Sequence, residues 1–304
     1  MTPAPRRLLL NDEGSSAVHY LNLDAPRASW TFRGPGRDLQ LIGGGRLLRS
    51  TPTGFCELSL AGGRLLRELV LPGLPGIESA RRLPNGHTVV LGNGDNGIFL
   101  AEVDERGDPV AGRVMVGAGL LKGRLLRHTA QESLLFCSET AGKRRVHEAT
   151  WQAGVRSLFE VPDDVSADSM VKAVRLTPER VVVSTGYGAS LLVIDTLTAS
   201  VVQTLGGKSQ PQPPALRRAL SPHFFSGFQL LAGGAYLVAN WQGHGPTHAA
   251  EGYQVLMYGP DGELCWTFDQ TEYPHMTSLN NVIALDQLDE LRLHDERRGY
   301  LEAL

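Results

Sequence analysis

The composition and charge of the sequence narrow its class before any motif is considered. The chain has 304 residues, a formal net charge of −3 and 42% hydrophobic residues. It contains no basic stripe with interleaved aromatic residues, so we expect no nucleic-acid partner. No apolar run approaches the length of a membrane span, and the three leucines before Asn11 are too few for a secretory signal. We therefore expect no membrane contact and a cytoplasmic location.

The cysteines are few and widely separated. There are three, at Cys56, Cys137 and Cys265, and they form no Cys-x-x-Cys pair. This spacing argues against a disulfide framework or a zinc ribbon and favours a reducing compartment. A cysteine nucleophile would need a histidine beside it in the fold, and thiols on apolar strands usually serve packing.

A repeated pattern runs along most of the chain. A short apolar run ends in small or polar residues, and a second run and a turn follow, with a spacing of roughly 40 to 55 residues that is typical of propeller blades. The first runs are LLLN at 8–11, LLRS at 47–50, VVLG at 89–92, LLFC at 134–137, VVVS at 181–184 and LVAN at 237–240. The sequence therefore predicts an all-β fold, a β-propeller formed by residues 1–304 as a single domain.

The third unit shows the blade most clearly. Its inner strand spans 77–83, a turn follows at Pro84-Asn85-Gly86, and the second strand spans 87–91. Strands over 98–103 and 110–116 complete a predicted four-stranded antiparallel meander.

Counting strands predicts how the ring closes. The N-terminal segment supplies only three strands before the second unit, whereas the C-terminus offers a spare strand over 278–285. Pairing this strand with residues 7–11 gives six blades and removes both free edges. The segment 289–304 is then a closing strand or a tail; alternatively, Leu291 to His294 begin a seventh blade.

Several short sequence segments resemble those of bacterial propellers of the arylsulfotransferase-like and quinoprotein-like group. They are SWTF at 29–32, LPNGHTVV at 83–90, PDGE at 260–263 and CWTF at 265–268. The resemblance covers most of the chain and implies the propeller fold. Sulfotransferases of that group are exported and carry essential histidines near the central axis, and PHMTS at 274–278 is loosely similar to their histidine-containing segment. The quinone-binding members have more blades and their own cofactor-contacting residues.

The unusual loops all fall on one predicted face. In a meander, the loops between second and third strands emerge on the same face as the loops between blades. The long segments 206–223, 240–252 and 269–277 belong to these two classes, and such lengthened loops commonly carry function. They contain four of the nine histidines: His223, His244, His248 and His275.

These histidines have three possible roles, one of which is direct contact with a ligand or substrate. His244, His248 and His275 could hold a divalent metal with Glu251 or Glu272 as a carboxylate ligand, although Gly243 and Pro246 place the first two in a loop. Alternatively, the imidazoles bond neighbouring backbone carbonyls. The cofactor, if any, stays open.

A polar rim is predicted around the rest of this face. We expect a small polar, sugar-like molecule or a partner peptide to bind there, with Trp241 and Tyr187 as flat surfaces. The other predicted contact residues are Asn240, Asn93, Asp95, Glu139, Glu251, His248 and His223. Asp38, Glu78, Lys122 and Lys172 begin inner strands near the rim.

Two other functions remain open at this stage. One is a hydrolase, lyase or transferase in which His244 or His275 acts as general base or metal ligand. The other is a protein-interaction scaffold. The sequence alone does not distinguish them.

Overall fold

Apolar runs with turns between them form strands throughout the computed structural model, which describes residues 3–214, 216–245 and 251–304. One 3-10 turn spans Pro26–Ala28. The strands, in chain order, are β1 (Arg7–Asp12), β2 (Ala17–Asn22), β3 (Trp30–Arg33), β4 (Leu39–Gly43), β5 (Arg46–Thr51), β6 (Gly54–Ser59), β7 (Leu65–Val70), β8 (Ile77–Arg82), β9 (Thr88–Gly94), β10 (Gly97–Val103), β11 (Pro109–Ala118), β12 (Arg127–His128), β13 (Leu134–Thr140), β14 (Lys143–Thr150), β15 (Gly154–Glu160), β16 (Ala173–Arg175), β17 (Arg180–Ser184), β18 (Ser190–Asp195), β19 (Ser200–Gly206), β20 (Phe224–Leu230), β21 (Tyr236–Trp241), β22 (Val255–Tyr258), β23 (Leu264–Phe268), β24 (Leu279–Ala284), β25 (His294–Arg298) and β26 (Tyr300–Ala303).

The strands form six antiparallel four-stranded blades, as predicted. Blade 1 is ordered β24-β1-β2-β3, and blades 2 to 6 use β4–β7, β8–β11, β12–β15, β16–β19 and β20–β23. The second and third strands of a blade are covered on both faces by neighbouring blades, so Leu8, Leu9 and Leu10 are all fully buried. Outer strands such as β7 meet solvent and carry exposed positions along their length. This burial explains the continuous apolar runs in the sequence.

The predicted ring closure is confirmed. Strand β24 pairs antiparallel with β1, with Leu8 opposite Ala284 and Asn11 opposite Asn281. The first blade therefore joins both ends of the described chain and leaves no open edge between blades 6 and 1.

A buried carboxylate reinforces this closure. Asp12 at the end of β1 accepts hydrogen bonds from the Thr277 backbone N–H at 2.7 Å, the Thr277 hydroxyl at 2.6 Å and the Ser278 N–H at 2.9 Å. His19 Nε2 lies 3.4 Å away. Although burial opposes ionisation, these hydrogen bonds hold the pKa of the Asp12 carboxyl well below its usual value.

We predict that Asp12→Asn lowers the free energy of unfolding by about 2 kcal/mol at pH 7, because charge-assisted hydrogen bonds are lost. The depressed pKa of Asp12 stabilises the fold above the unfolded pKa of about 4. The difference between wild type and variant should therefore shrink as the pH falls below about 4 in urea titrations. Asp24→Asn is the control, since its ion pair with Arg6 is exposed and we expect a change under about 0.5 kcal/mol. Equal losses in both variants would contradict the assignment.

The C-terminal segment does not form the alternative seventh blade. Strands β25 and β26 form a hairpin instead, and β26 makes one parallel bridge to the inner strand of blade 6, between Tyr300 and Leu230. Strand β25 packs against β4, β12 and β16, the inner strands of blades 2, 4 and 5. Its sequence, HDERR, is too polar to be covered by apolar blades on both faces, which is the reason that it cannot begin another blade.

The hairpin closes one end of the central channel. It bonds to turns that join first and second strands, through Gly44 N–H to the Leu291 carbonyl at 3.0 Å and Ala130 N–H to the Arg297 carbonyl at 3.1 Å. We call this side the back face. The opposite side, which carries the loops between blades and between second and third strands, is the front face. Among the described residues, the hairpin therefore covers the back-face end of the channel.

Acidic side chains of the hairpin enter a basic channel. Glu296 contacts Arg127 Nε at 2.5 Å and Lys172 Nζ at 2.7 Å, and Asp295 contacts Arg81 Nη2 at 2.6 Å. Arg127 also forms a bidentate ion pair with Asp38, with N–H···O distances of 2.9 and 3.0 Å. We call this set the channel charge cluster: Asp38, Arg81, Arg127, Lys172, Asp295 and Glu296. Its three carboxylates face three basic side chains, and all six side chains are buried.

Two further observations bear on the sequence predictions. Among the described residues, no helix has the length and apolar character needed to span a bilayer. All three cysteines are free thiols; Cys56 and Cys137 are buried and Cys265 is exposed. Burial raises the pKa of Cys56 to about 11, so its thiol is held in the unreactive protonated form at neutral pH.

Candidate functional site

A cavity of about 130 Å³ opens on the front face near the axis. One side is aromatic and the other is charged, and we call it the front cavity. Tyr187, Phe224, Trp241 and His244 form the aromatic wall, and Glu13, Arg37 and Arg124 form the charged wall. Ser169, Val171, Ser226 and Asn280 complete the lining.

The aromatic wall follows from strand pairing at the edge of blade 6. Phe224 begins β20 and is the register partner of Trp241, which ends β21, so their rings meet at 5.4 Å. Tyr187 comes from the neighbouring blade and meets Phe224 edge-on at 4.8 Å. His244 packs edge-on against Trp241 at 4.8 Å. Trp241 is almost fully buried, whereas Tyr187 is 38% exposed and His244 is exposed.

The charged wall comes from successive blades. Arg37 lies between Glu13 and Glu78, with its Nη2 at 3.0 Å from the first carboxylate and its Nε at 2.7 Å from the second. Arg124 contacts Glu78 at 3.3 Å. All four side chains are partly buried at the mouth of the channel. The charged wall and the aromatic wall therefore line the same cavity.

Two predicted contact residues have their amides committed to backbone groups. Asn240 accepts hydrogen bonds from the N–H groups of His223 and Phe224, and donates to the carbonyls of Ser221 and Tyr253. It is fully buried. Asn93 exchanges two hydrogen bonds with the backbone of Gly123. Asn240 thus orders the loop behind the aromatic wall, and Asn93 joins blades 3 and 4.

The remaining predicted residues lie apart from the lining of the front cavity. Asp95 is exposed in the turn after β9, and Glu251 is exposed. Glu139 forms an ion pair with Lys122 at 2.7 Å. His223 stacks on Trp241 at 5.9 Å, which places it behind the wall as a packing neighbour.

The predicted histidine site is only partly described. His244 lines the front cavity, whereas His275 is exposed and packs edge-on against Tyr273 at 5.3 Å. His248 lies outside the described residues. Within the ranges that the structure describes, no three His, Cys, Asp or Glu side chains come together as a potential metal site.

Sequence reasoning missed Phe224 and the arginines of the charged wall. Arg37 and Arg124 stand just before β4 and β12, positions that are equivalent in the repeat. Aligning the blade-to-blade connections would have revealed the two cations at matching positions. Phe224 could have been found as the pairing partner of Trp241.

Comparison with known proteins shows the fold. No protein-family model matches the sequence. No curated protein matches it either. A protein of unknown function from Bacteroides caccae has a similar structure, with a TM-score of 0.68 and 17% identity over 92% of this chain and 98% of that chain. This chain is a six-bladed β-propeller.

Other propellers have similar structures. Virginiamycin B lyase from Staphylococcus aureus has a TM-score of 0.54 and 12% identity, over 88% of this chain and 82% of that chain. Regucalcin from Agrobacterium tumefaciens, described as a calcium-binding protein, has a TM-score of 0.57 and 12% identity over 92% and 89%. At these identities the likeness concerns the fold alone.

Proposed function

We propose that this protein binds a small polar ligand with one flat face, such as a sugar, in the front cavity. The observation that carries the proposal is that one cavity is lined by both the aromatic wall and the charged wall. Flat ring faces pack against Trp and Tyr side chains, while charged groups fix orientation through hydrogen bonds. Blocking of the back face by the C-terminal hairpin leaves the front face as the route of entry.

A partner peptide is the second ligand that we propose for the front cavity, because a peptide side chain can present the same flat face. The propeller fold also agrees with the phrases shared with the arylsulfotransferase-like and quinoprotein-like group, and we propose that relation for the fold only. Neither the lyase activity nor the calcium binding of the structural neighbours is carried over to this chain.

Tyr187 offers the sharpest test of the site. A panel of saccharides, small metabolites and short peptides is screened by thermal shift, and hits are measured by titration calorimetry. We predict that Tyr187→Ala weakens binding of a hit about tenfold, because an aromatic contact worth about 1.4 kcal/mol is lost. Tyr187 is 38% exposed, so the substitution should leave the fold intact.

Tyr300→Ala is the matched control. Tyr300 is 42% exposed, close to the exposure of Tyr187, but lies in the hairpin on the back face. We expect it to change affinity less than twofold. Hits whose affinity is the same in wild type and Tyr187→Ala bind elsewhere, and such a result would refute the proposed site.

A further inference from the structure

Most of the polar groups that lack a hydrogen-bond partner around the front cavity are N–H donors. Arg37 is held between two carboxylates, whereas Arg124 contacts Glu78 only through Nη1, at 3.3 Å from both oxygens. Across the described ranges, no hydrogen bond occupies Nε or Nη2 of Arg124, whose side chain is 24% exposed. A guanidinium has five N–H donors, so most of its capacity remains available.

Two buried donors on other lining residues add to this excess. The Trp241 indole N–H and the Asn280 Nδ2 have no acceptor among the described residues. The Asn280 carbonyl oxygen already accepts from Asn11 at 2.6 Å, so its amide nitrogen is the free end. Leaving such a buried donor unpaired costs about 1–3 kcal/mol, so these two residues add donors and no free acceptor to the surroundings of the cavity.

The charges around the cavity leave Arg124 as the group that an anion can reach. Two arginines and one glutamate line the cavity; Arg37 is held by Glu13 at 3.0 Å and by Glu78 at 2.7 Å, whereas Arg124 has only the 3.3 Å contact with Glu78. A cationic ligand could stack on the aromatic wall but would be repelled by Arg124 in the same cavity. A carboxylate would instead find a guanidinium with free donors, the geometry that this pair favours.

We infer that the ligand of the front cavity is a small ring-bearing carboxylate, whose ring packs on Tyr187 and Trp241 and whose carboxylate binds Arg124. This inference rests on the proposed function. A volume of about 130 Å³ is slightly below the roughly 150 Å³ of a cavity that holds benzene, so a single six-membered ring is the largest that we expect the cavity to take, with the carboxylate at its open side. The ring is either a sugar, as in a uronic acid, or aromatic, as in a benzoate.

Matched probes separate these possibilities. Titration calorimetry is run with galacturonate against galactose, and with benzoate against benzamide and benzylamine. We expect the acid of at least one pair to bind about tenfold more tightly than its neutral partner, and its affinity to fall with added salt. The pair that shows the preference identifies the ring as sugar or aromatic.

Arg124→Met provides the decisive comparison. The variant should bring the acid within twofold of its neutral partner while leaving the neutral probe unchanged, because Glu78 keeps its pair with Arg37. Arg106→Gln, an exposed arginine in a back-face turn, is the control and should leave the preference intact. Denaturant titrations of each variant confirm that the fold is retained.

The outcomes separate the inference from the proposed function. If neutral or cationic probes bind as well as acids, and still lose affinity in Tyr187→Ala, the anionic class is wrong and the proposed function stands. If the acid preference survives in Arg124→Met, the carboxylate position is wrong. If no probe binds at millimolar concentration, the inference fails, and the broader ligand screen alone decides the proposed function.

Discussion

Replacing Glu296 by alanine should lower the free energy of unfolding by about 3–5 kcal/mol, because it leaves the buried Arg127 and Lys172 without this carboxylate partner. Glu296 contacts Arg127 at 2.5 Å and Lys172 at 2.7 Å, and all three side chains are at most 4% exposed. Arg127 retains Asp38 in the variant, but Lys172 loses its carboxylate. Equilibrium urea unfolding at pH 7 measures the loss.

A second substitution tests the cause. Lys172→Met removes the buried amine, which in Glu296→Ala must either stay charged without its carboxylate or give up its proton, so the double variant Glu296→Ala/Lys172→Met should be more stable than Glu296→Ala alone. If Glu296→Ala does not fold, recovery of folding in the double variant carries the same information. Glu302→Ala, in the partner strand of the same hairpin, should cost less than about 1 kcal/mol. A similar loss for Glu302 would mean that the hairpin, and not its charge, matters.

The pH dependence of stability should change when Lys172 is replaced by methionine. Burial lowers the pKa of Lys172 from 10.5 to about 7, against the opposing effect of Glu296. Between these two values the unfolded chain binds the proton and the folded chain does not, so this group makes stability rise with pH by roughly 1.4 kcal/mol per unit. Methionine carries no proton in either state.

We therefore expect the stability difference, wild type minus Lys172→Met, to rise by about 2–3 kcal/mol between about pH 6.5 and 9. Subtraction removes the contributions of the tyrosines and cysteines that both proteins share. Lys143→Met is the control, because the Lys143 side chain is 39% exposed and its hydrogen bond with Asp163 raises its pKa, so its difference should stay flat over this range. A flat or falling curve for Lys172 would show that its amine stays protonated in the folded protein.

The blades could be predicted because their signal is local. Runs such as VVL at 89–91 are buried on both faces by stacked neighbours, and turns such as Pro84-Asn85-Gly86 separate them. Ring closure needed only a count of strands. The polar hairpin gave no such signal, since Asp295 and Glu296 look like exposed residues until Arg81, Arg127 and Lys172 meet them from three other blades.

The sequence predicted which face of the propeller carries the candidate site, but only some of the residues that line it. The long loops identified the front face, and Trp241, Tyr187 and His244 do line its cavity. Asn240 and Asn93 were chosen as polar strand ends, but their amides bond the backbone, which is the other common use of such residues. In the sequence Arg124 resembles any surface arginine. Its role depends on the residues of other blades that line the same cavity, and the sequence does not show which these are.

The order of the charged residues along the chain has a consequence for biosynthesis. Arg81, Arg127 and Lys172 are synthesised before Asp295 and Glu296, and so are all six inner strands. At a translation rate of about 5–20 residues per second, the nascent blades hold unneutralised basic groups for many seconds. The channel can be completed only after the ribosome has passed Glu296. A product that ends between Ala284 and Asp295 contains every strand of the six blades but lacks the two carboxylates of the hairpin, so the centre of its channel stays basic and hydrated.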